Sequence, residues 1–387
     1  MGKVNYFLTE EQQTIKELAG QITRERIIPQ RAELDEEEGF PWSIMKDLAQ
    51  ADLFALFVPE EYGGLGAGCM DICVALEELA YGCIAVATTY AASALGSYPI
   101  QLYGTEEQKK KYLPSIARGE KLAAFALTEV NAGSDAAAIQ TTATDHGDHW
   151  VINGSKQWIT TGGEAEVYTV IAVTDRHKGP RGASAFIVEK GDPGFTFGKK
   201  ERKMGLRASS TRELFFTDCR IPKDRLLGRR GLGFIIAMRT LDLARPGIGA
   251  LGVGLAQAAM DEAVNHARKR IQFGTPIISF QAIQHMLANM ATEIEAARAL
   301  VYAVARTIDA GEKDIQNLSA MAKLFSTDVA MKVTVDAVQV LGGYGYMKDY
   351  PVEKMMRDAK VLQIYEGTNQ ILRNVIGQSL KKEYSKD

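Results

Sequence analysis

The chain has 387 residues, of which 46% are hydrophobic and 24% charged, and its 45 basic and 48 acidic side chains leave a net charge of −3. Normal apolar content with nearly balanced charge predicts a soluble globular protein of two or three domains and argues against disorder. Without a basic excess, neither a nucleic acid nor an anionic membrane is expected as a partner.

The four cysteines predict reduced thiols and no metal site. Cys69, Cys73, Cys83 and Cys219 form no Cys-x-x-Cys pair and have no histidine close by in the sequence. A structural zinc site needs such a spacing of its ligands. We therefore expect small apolar thiols packed in a reducing compartment.

Residues 1 to about 120 indicate helices separated by glycine and proline breaks, with one helix expected from Glu77 to Leu95. Residues 79–105 carry no charge, a length that raises the question of a membrane span. Glycine, serine, threonine and proline interrupt this run, so the sequence favours a buried helix. The N-terminus has no apolar signal core and no transit pattern, which favours a bacterial cytoplasm or the mature form of an organellar matrix protein.

From about 121 to 228 the pattern is that of β-structure. Short β-branched or aromatic runs at Val167–Thr174, Ala183–Val188 and Glu213–Ile221 predict strands. Two apolar runs between His149 and Thr160 flank Asn153-Gly154, which predicts a tight hairpin there.

From about 229 to 387 the helical pattern returns. Apolar residues from Ile283 to Val304 alternate spacings of four and three, which predicts one long amphipathic helix. The uncharged run Pro246–Met260 predicts a buried helix that begins at its proline. Glycine-rich stretches at 63–68 and 341–346 lie in helical segments, and therefore do not indicate a nicotinamide-binding βαβ unit.

Several motifs occur in one register along the chain. ALTEVNAGSD at 126–135 is followed by QWITTG at 157–162, RIQFG at 270–274, QVLGG at 339–343 and IYEGTNQ at 364–370. Together they resemble the acyl-CoA dehydrogenase family over roughly residues 5–380. The resemblance implies a mainly helical fold with a helical domain at 1–120, a central β domain at 121–228 and a four-helix bundle at 229–387.

The chemistry of this family explains the residue types. Desaturating an acyl-CoA thioester needs a base for the α-proton and a hydride acceptor, which FAD supplies. The resemblance makes Glu366 the base; no charged residue occurs near it from Val361 to Leu372. From the local sequence alone, Glu366 is equally compatible with a surface glutamate near a helix start, where Thr368 caps the next turn. The alternative base position of the family corresponds to Ala244, which cannot accept a proton.

The other site residues follow from the same resemblance. It places Thr128 and Thr160 near the flavin ring and Ser134 near the pyrophosphate. Arg270 is implied to hold the adenine half of FAD from a neighbouring subunit. The implied cofactor contacts are Phe125, Leu127, Thr128, Gly133, Ser134, Trp158, Ile159, Thr160, Arg270, Gln272, Phe273, Gln281, Gln339, Val340, Gly342, Gly343, Thr368 and Gln370. The implied substrate contacts are Ser134, Asp242, Arg245, Tyr365 and Gly367.

Plainer interpretations remain for some of these residues. Trp158 and Thr160 also fit an ordinary half-buried strand, and Arg270 fits a solvated basic run. Asp242 and Arg245 also fit an intrahelical ion pair. Val130 stands where the family commonly has proline, so the neighbouring loop is expected to lie differently against the flavin.

The acyl group is expected to be neutral, because no arginine in the Glu77–Leu95 helix would pair with a distal carboxylate. Small residues at Ala91 and Ala92 would widen the pocket for a branched or cyclic group, whereas Tyr90 would shorten it for a short chain. The sequence leaves this choice open. The resemblance also implies an electron-transfer flavoprotein as electron acceptor and a homotetramer.

Three alternative functions remain. An acyl-CoA oxidase is disfavoured by the end of the chain at Asp387, and a catalytically silent module is disfavoured by the presence of Glu366. The third alternative is a specialised cyclohexanecarboxyl-type dehydrogenase.

Overall fold

The computed structural model describes residues 4–385, so the outermost residues of the predicted first and third domains lie outside the described part. Helices occupy its two ends and a sheet its middle, which confirms the predicted mainly helical fold with a central β domain. The N-terminal helices are α1 Glu10–Ile22, α2 Ile28–Glu36, α3 Trp42–Gln50, α4 Cys69–Gly82, α5 Ile84–Tyr103 and α6 Glu106–Ala117.

The expected single helix from Glu77 to Leu95 is wrong, because the chain breaks between α4 and α5. Cys83 has an extended backbone, with φ −159° and ψ 112°. Gly82 packs so closely on the segment before α2 that a Cβ atom added to it would lie 2.7 Å from Thr23 Cγ2. The uncharged run therefore spans two packed helices, and no helix among residues 4–385 is long and apolar enough to cross a membrane.

The middle segment forms one eight-stranded sheet. Its strands are β1 Ala123–Ala126, β2 Thr142–Asp145, β3 His149–Thr160, β4 Val167–Val173, β5 Ala183–Glu189, β6 Phe195–Lys200, β7 Thr211–Pro222 and β8 Leu226–Leu227. The order is β6-β7-β3-β2-β4-β5-β8, and β1 pairs with β4. Pairing is antiparallel except for β1 and β2 beside β4. The three predicted strands correspond to β4, β5 and β7.

The predicted hairpin at Asn153-Gly154 is also wrong, because β3 runs through both residues. The pairing of β3 with β7 shifts register between Ile152 and Gly154, which is a β-bulge. The Asn153 side chain accepts from the backbone of Asp218 at 2.7 Å. Gly154 has φ 140°, and a Cβ atom added to it would lie 2.8 Å from Thr141 Cα. The glycine thus serves a bulge and a close approach, not a turn.

The C-terminal segment packs around one long helix. Its elements are α7 Gly233–Lys269, the short strands β9 Ile271–Gln272 and β10 Thr275–Pro276, and the helices α8 Gln281–Asp309, α9 Gln316–Leu341, α10 Val352–Leu362 and α11 Asn369–Tyr384. α7 packs against α8 and α9, and α11 packs against α9. The stripe from Ile283 to Val304 lies on α8 and turns Met290, Ile294 and Val301 into the core.

The expectation that a helix begins at Pro246 is wrong, since this proline lies in the interior of α7. Proline removes one helical hydrogen bond, which tertiary packing outweighs here. A Cβ atom added to Gly254 would lie 2.1 Å from the backbone oxygen of Glu77, and one added to Gly252 would lie 3.0 Å from that of Ser326. The helix is therefore held between α4 and α9 along its middle.

Candidate active site

A cleft of about 220 Å³ lies where the sheet meets α5, α7 and the loop before α11. Many of the residues that the sequence predicts as site residues line it together. They are Phe125, Leu127, Thr128, Gly133, Ser134, Trp158, Ile159, Thr160, Arg245, Tyr365, Glu366 and Gly367. One chain thus assembles a single cavity from β1, β3, α7 and the IYEGTNQ segment.

The rest of the cleft wall is largely apolar and comes from α5, α7, α11 and the segment between β1 and β2. These residues are Thr88, Ala91, Ala92, Leu95, Ala136, Met238, Leu241, Ile248 and Ile371. Of this set, the sequence singles out only Ala91 and Ala92, as the floor of the acyl pocket. The floor is apolar, and α5 carries no charged residue.

Tyr90, which the sequence offers as a residue that shortens the acyl pocket, does not line this cleft. Its hydroxyl donates to the backbone oxygen of Leu53 at 2.6 Å, and its ring packs edge-on against Phe54 and Phe57. The side chain is fully buried and borders a smaller cavity beside the cleft, together with Ala91, Ile248 and Glu366. Ala91 and Ala92 line the cleft itself.

Trp158 is not part of an ordinary strand. It has φ 57°, in a bulge where the pairing of β3 with β7 shifts register between Lys156 and Ile159. Its side chain remains 58% exposed and lines the cleft. A left-handed backbone at a bulky residue costs about 1–3 kcal/mol and is characteristic of ligand sites.

Glu366 sits in a strained turn at the wall of the cleft. It has φ 53°, and the next residue, Gly367, has φ 96°. Its Oε2 atom is buried and has no hydrogen-bond partner among the residues that the structure describes. Burial raises the pKa of Glu366 to about 7, and the nearby cations Arg245 and Lys323 oppose that rise. A carboxyl group of this kind changes protonation near neutrality, which suits a general base.

Arg245 connects α7 to this turn. Its Nε donates to the backbone oxygen of Glu366 at 3.2 Å, and its Nη1 donates to Asp242 Oδ1 at 2.8 Å. The predicted intrahelical pair is therefore present and buried. Burial raises the pKa of Asp242, and Arg245 opposes that rise. Arg245 lines the cleft, whereas Asp242 does not.

Lys323, on α9, is a functional candidate that the sequence reasoning missed. It is fully buried, and its Nζ donates to the Gly367 backbone oxygen at 2.8 Å and to Asn369 Oδ1 at 2.9 Å. Burial lowers the pKa of Lys323 to about 7, while Glu366 raises it. The available signal was a lone lysine within the apolar run around Met321–Phe325.

Lys156, on β3, is a second functional candidate that the sequence reasoning missed. It supports the loop of the cleft that carries Thr128. Its Nζ donates to Glu129 Oε1 at 2.7 Å and to the Leu127 backbone oxygen at 2.9 Å. The carboxylate of Glu129 also accepts the backbone N–H groups of Gln140 and Thr141. Burial lowers the pKa of Lys156 to about 8. This pair fixes the loop that carries Thr128.

A second concave surface, an open groove of about 470 Å³, holds another group of predicted residues. It lies where the end of α7 meets the glycines after α9. The predicted residues that line it are Arg270, Gln272, Val340, Gly342 and Gly343. The Arg270 guanidinium lies over the Tyr344 ring, 5.2 Å from its centroid. No atom lies within 4 Å of a Cβ added to Gly342 or Gly343, so the groove is open there.

The remaining predicted contacts line neither cavity. Phe273, between β9 and β10, is 95% exposed. Gln281 begins α8, and Gln339 and Gln370 are exposed on α9 and α11. Thr368 caps α11, since its Oγ1 accepts the backbone N–H of Ile371 at 3.2 Å. A single chain therefore does not bring these residues to one ligand surface.

Comparison with known proteins covers nearly the whole chain. The N-terminal, middle and C-terminal domains of acyl-CoA dehydrogenase match residues 9–120, 124–219 and 231–381. A probable acyl-CoA dehydrogenase, FadE25, of Mycobacterium tuberculosis is 48% identical over 373 residues, 96% of both chains. A short-chain-specific acyl-CoA dehydrogenase of Clostridium acetobutylicum is 46% identical, over 96% of this chain and 98% of that one.

Solved structures also match this chain over nearly its whole length. Butyryl-CoA dehydrogenase of Megasphaera elsdenii has a TM-score of 0.95 at 44% identity and covers 97% of this chain and 100% of its own. A chain solved in a study of the electron-transferring flavoprotein of Acidaminococcus fermentans has a TM-score of 0.95 at 48% identity, over 97% of this chain and 99% of its own. An acyl-CoA dehydrogenase complexed with FAD from Bacillus anthracis has a TM-score of 0.92 at 36% identity, over 99% and 69%.

Proposed function

The chain belongs to the acyl-CoA dehydrogenase family, and on this premise we propose that it desaturates a neutral acyl-CoA thioester to the 2-enoyl-CoA, with Glu366 as the base. The observation that carries this proposal is the unpaired Oε2 atom of Glu366, buried in a turn that lines the cleft. An unpaired buried carboxylate is costly for a fold and is characteristic of functional sites.

FAD is the cofactor, and it supplies the hydride acceptor when bound. The residues of the cleft fit a flavin: the hydroxyl groups of Thr128, Ser134 and Thr160 and the exposed ring of Trp158 line the same cavity as Glu366. The bend around Gly133 leaves open space, with no atom within 4 Å of an added Cβ. We assign the contacts with the flavin ring to Thr128, Trp158 and Thr160, together with Phe125, Leu127 and Ile159. Ser134 is assigned to the pyrophosphate.

Glu366 removes the α-proton as a carboxylate, so activity requires its ionised form. The backbone N–H of Glu366 has no acceptor in the described part of the chain, and it is free to donate to the thioester oxygen as that oxygen gains charge. Arg245 holds the Glu366 backbone oxygen from the other side. Tyr365 and Gly367 complete the substrate wall, and Ser134 lies at the cofactor end of the cleft.

The acyl group is neutral and short, branched or cyclic. Its floor is formed by Ala91, Ala92 and Leu95 of α5 with Ile248 of α7, and none of them pairs with a distal carboxylate. Burying such a carboxylate without a partner would cost several kcal/mol. The small side chains at Ala91 and Ala92 leave width where Tyr90 is turned away.

We assign the open groove to the adenine half of FAD, with Arg270 at the pyrophosphate. Four exposed residues and the half-buried Thr368 then contact cofactor at a junction of subunits in a homotetramer. The exposed residues are Phe273, Gln281, Gln339 and Gln370. The three domains divide near residues 120 and 228. An electron-transfer flavoprotein accepts the electrons, and the bacterial relatives favour a bacterial cytoplasm.

The test is an anaerobic titration of the FAD-loaded protein, followed by visible absorbance, with butyryl-, isobutyryl-, cyclohexanecarboxyl- and glutaryl-CoA. We expect at least one neutral thioester to remove the oxidised flavin band and glutaryl-CoA to leave it. A protein that no thioester bleaches would contradict the proposal, and bleaching by glutaryl-CoA alone would contradict the neutral acyl group. Rapid recovery of the band in air with stoichiometric peroxide would favour the oxidase.

A further inference from the structure

Lys323 is a buried cation directly behind the Glu366 turn. It belongs to α9 and does not line the cleft, and its side chain is fully buried. Its two acceptors are a backbone oxygen and an amide oxygen, those of Gly367 and Asn369. Burying an ammonium group without an ion-paired carboxylate is expensive. A purely structural role would be served better by an apolar side chain of similar volume.

The acceptors of Lys323 are held in place by a second layer of contacts. The Asn369 side-chain nitrogen donates to Thr327 Oγ1 at 3.0 Å and to Asp328 Oδ1 at 2.7 Å. These contacts turn the amide oxygen of Asn369 toward Lys323. Arg373 pairs with Asp328 Oδ2 at 2.8 Å. The lysine is thus anchored to α11 and its acceptor geometry is fixed.

The turn that Lys323 holds is strained. Glu366 and Gly367 both have positive φ, a conformation that is unfavourable for a glutamate. It persists only where surrounding contacts determine it. Two cations do so here: Arg245 donates to the Glu366 oxygen and Lys323 donates to the Gly367 oxygen. The Glu366 carboxylate therefore owes its direction partly to α9.

The charges around Glu366 come from several elements. The titratable groups facing it are Arg245 of α7, Lys323 of α9, the adjacent Tyr365, Tyr90 and Tyr98 of α5, and Cys69 and Cys73 of α4. Only Arg245 and Lys323 of this set carry positive charge, and both lower the pKa of Glu366 against the effect of burial. Lys323 in turn faces Glu366, Arg245 and Asp328.

We propose that Lys323 is a positioning residue for α-proton abstraction: its ammonium group holds the Glu366–Gly367 turn against α9 and favours the carboxylate form of Glu366. The inference rests on the proposed role of Glu366 as the base. Because Lys323 does not touch the cleft, it acts only through the turn and through its charge.

The test compares Lys323→Met, Lys323→Gln and Lys323→Arg with the wild-type holoenzyme. The readout is the rate of anaerobic flavin reduction by butyryl-CoA, measured from pH 5.5 to 9. Lys332→Met is the matched control, since Lys332 lies on the same helix but is exposed and paired with Glu293. The rate rises with pH as Glu366 ionises, so loss of a neighbouring cation moves this limb to higher pH.

We expect Lys323→Met to retain FAD but to reduce it up to about 100-fold more slowly. Its pH limb should move to higher pH, by less than a permanently charged neighbour would give, because Lys323 itself loses its proton near pH 7. Lys323→Gln keeps a donor for the Gly367 oxygen, so it should recover part of the rate while keeping the pH shift. Lys323→Arg should restore the limb toward its wild-type position. Lys332→Met should match the wild type.

Wild-type rate and pH limb in Lys323→Met would overturn the inference. If Lys323→Met does not fold, Lys323→Gln is measured instead. A pH dependence of flavin reduction in Lys323→Gln that equals that of the wild type would also overturn the inference. Failure of the proposed function looks different: butyryl-CoA and the other neutral thioesters would leave wild-type flavin oxidised, or Glu366→Gln would reduce it as fast as wild type.

Discussion

The cleft and the groove differ in how completely one chain builds them. The cleft is walled by five parts of the chain: α5, β1 with its following loop, β3, α7 and the segment 365–371. Buried lysines support two of its loops, Lys156 behind Thr128 and Lys323 behind Glu366. The groove is open, and the hairpin beside it exposes Phe273. One chain therefore builds the walls of the cleft, whereas the groove that we assign to the adenine half of FAD is left open for the proposed neighbouring subunit.

The largest loss of stability is expected when the buried Lys156–Glu129 ion pair beside the cleft is broken. Lys156→Met leaves the Glu129 carboxylate buried without its counter-charge, which typically destabilises a fold by about 3–5 kcal/mol. Urea unfolding of the purified variant measures this loss. A decrease below about 1 kcal/mol would show that the brace is dispensable.

The matched double variant Lys156→Met/Glu129→Gln separates the ion pair from the packing. Replacing both charges removes the uncompensated carboxylate, so the double variant should be more stable than Lys156→Met alone. A double variant as unstable as the single one would attribute the loss to the shape of the lysine side chain.

A smaller effect is expected in the groove. Arg270→Ala removes the proposed charge-assisted hydrogen bond to the FAD pyrophosphate. Such a bond is worth about 1.5–3 kcal/mol, so FAD binding should weaken by roughly 10- to 100-fold. Fluorescence titration of the apoprotein with FAD measures it, with the exposed neighbour Arg268→Ala as control. The FAD-loaded fraction should still be reduced at the wild-type rate. Unchanged FAD affinity would contradict the assignment of the groove.

The smallest effect on the folded chain is expected at Phe273. Its side chain is 95% exposed, so Phe273→Ser should change the helix content seen by circular dichroism very little. Sedimentation should instead show a smaller oligomer than wild type. Loss of helix content, or an unchanged assembly with full FAD occupancy, would contradict the subunit-junction role.

Motif residues that lie on contiguous segments could be predicted from the sequence. Thr128, Trp158 and Glu366 each belong to a short motif, and the structure places all three on one cleft. Lys323 could not be predicted in this way, because its partner Gly367 is 44 residues away and meets it only when α9 packs under the turn. Lys156 likewise acquires its partner Glu129 only through folding.

Predictions from short sequence motifs were wrong where the same residues can form two local structures and tertiary contacts determine which one forms. Asn153-Gly154 favours a hairpin, but the Asn153 side chain pairs with Asp218 across the sheet and makes a bulge instead. Pro246 favours the start of a helix, but α7 begins earlier and continues past this proline. The close packing of Gly252 and Gly254 against α9 and α4 stabilises the helix there. Helical periodicity also does not reveal the break at Cys83, which depends on close packing of Gly82.

The most direct measurement of the central claim is rapid anaerobic mixing of the FAD-loaded wild type and Glu366→Gln with butyryl-CoA. Glutamine keeps the size of the side chain but cannot take the α-proton, so flavin reduction should slow by on the order of 10³-fold or more while FAD occupancy stays the same. A Glu366→Gln protein that is reduced within about tenfold of the wild-type rate would contradict the assignment of Glu366 as the base.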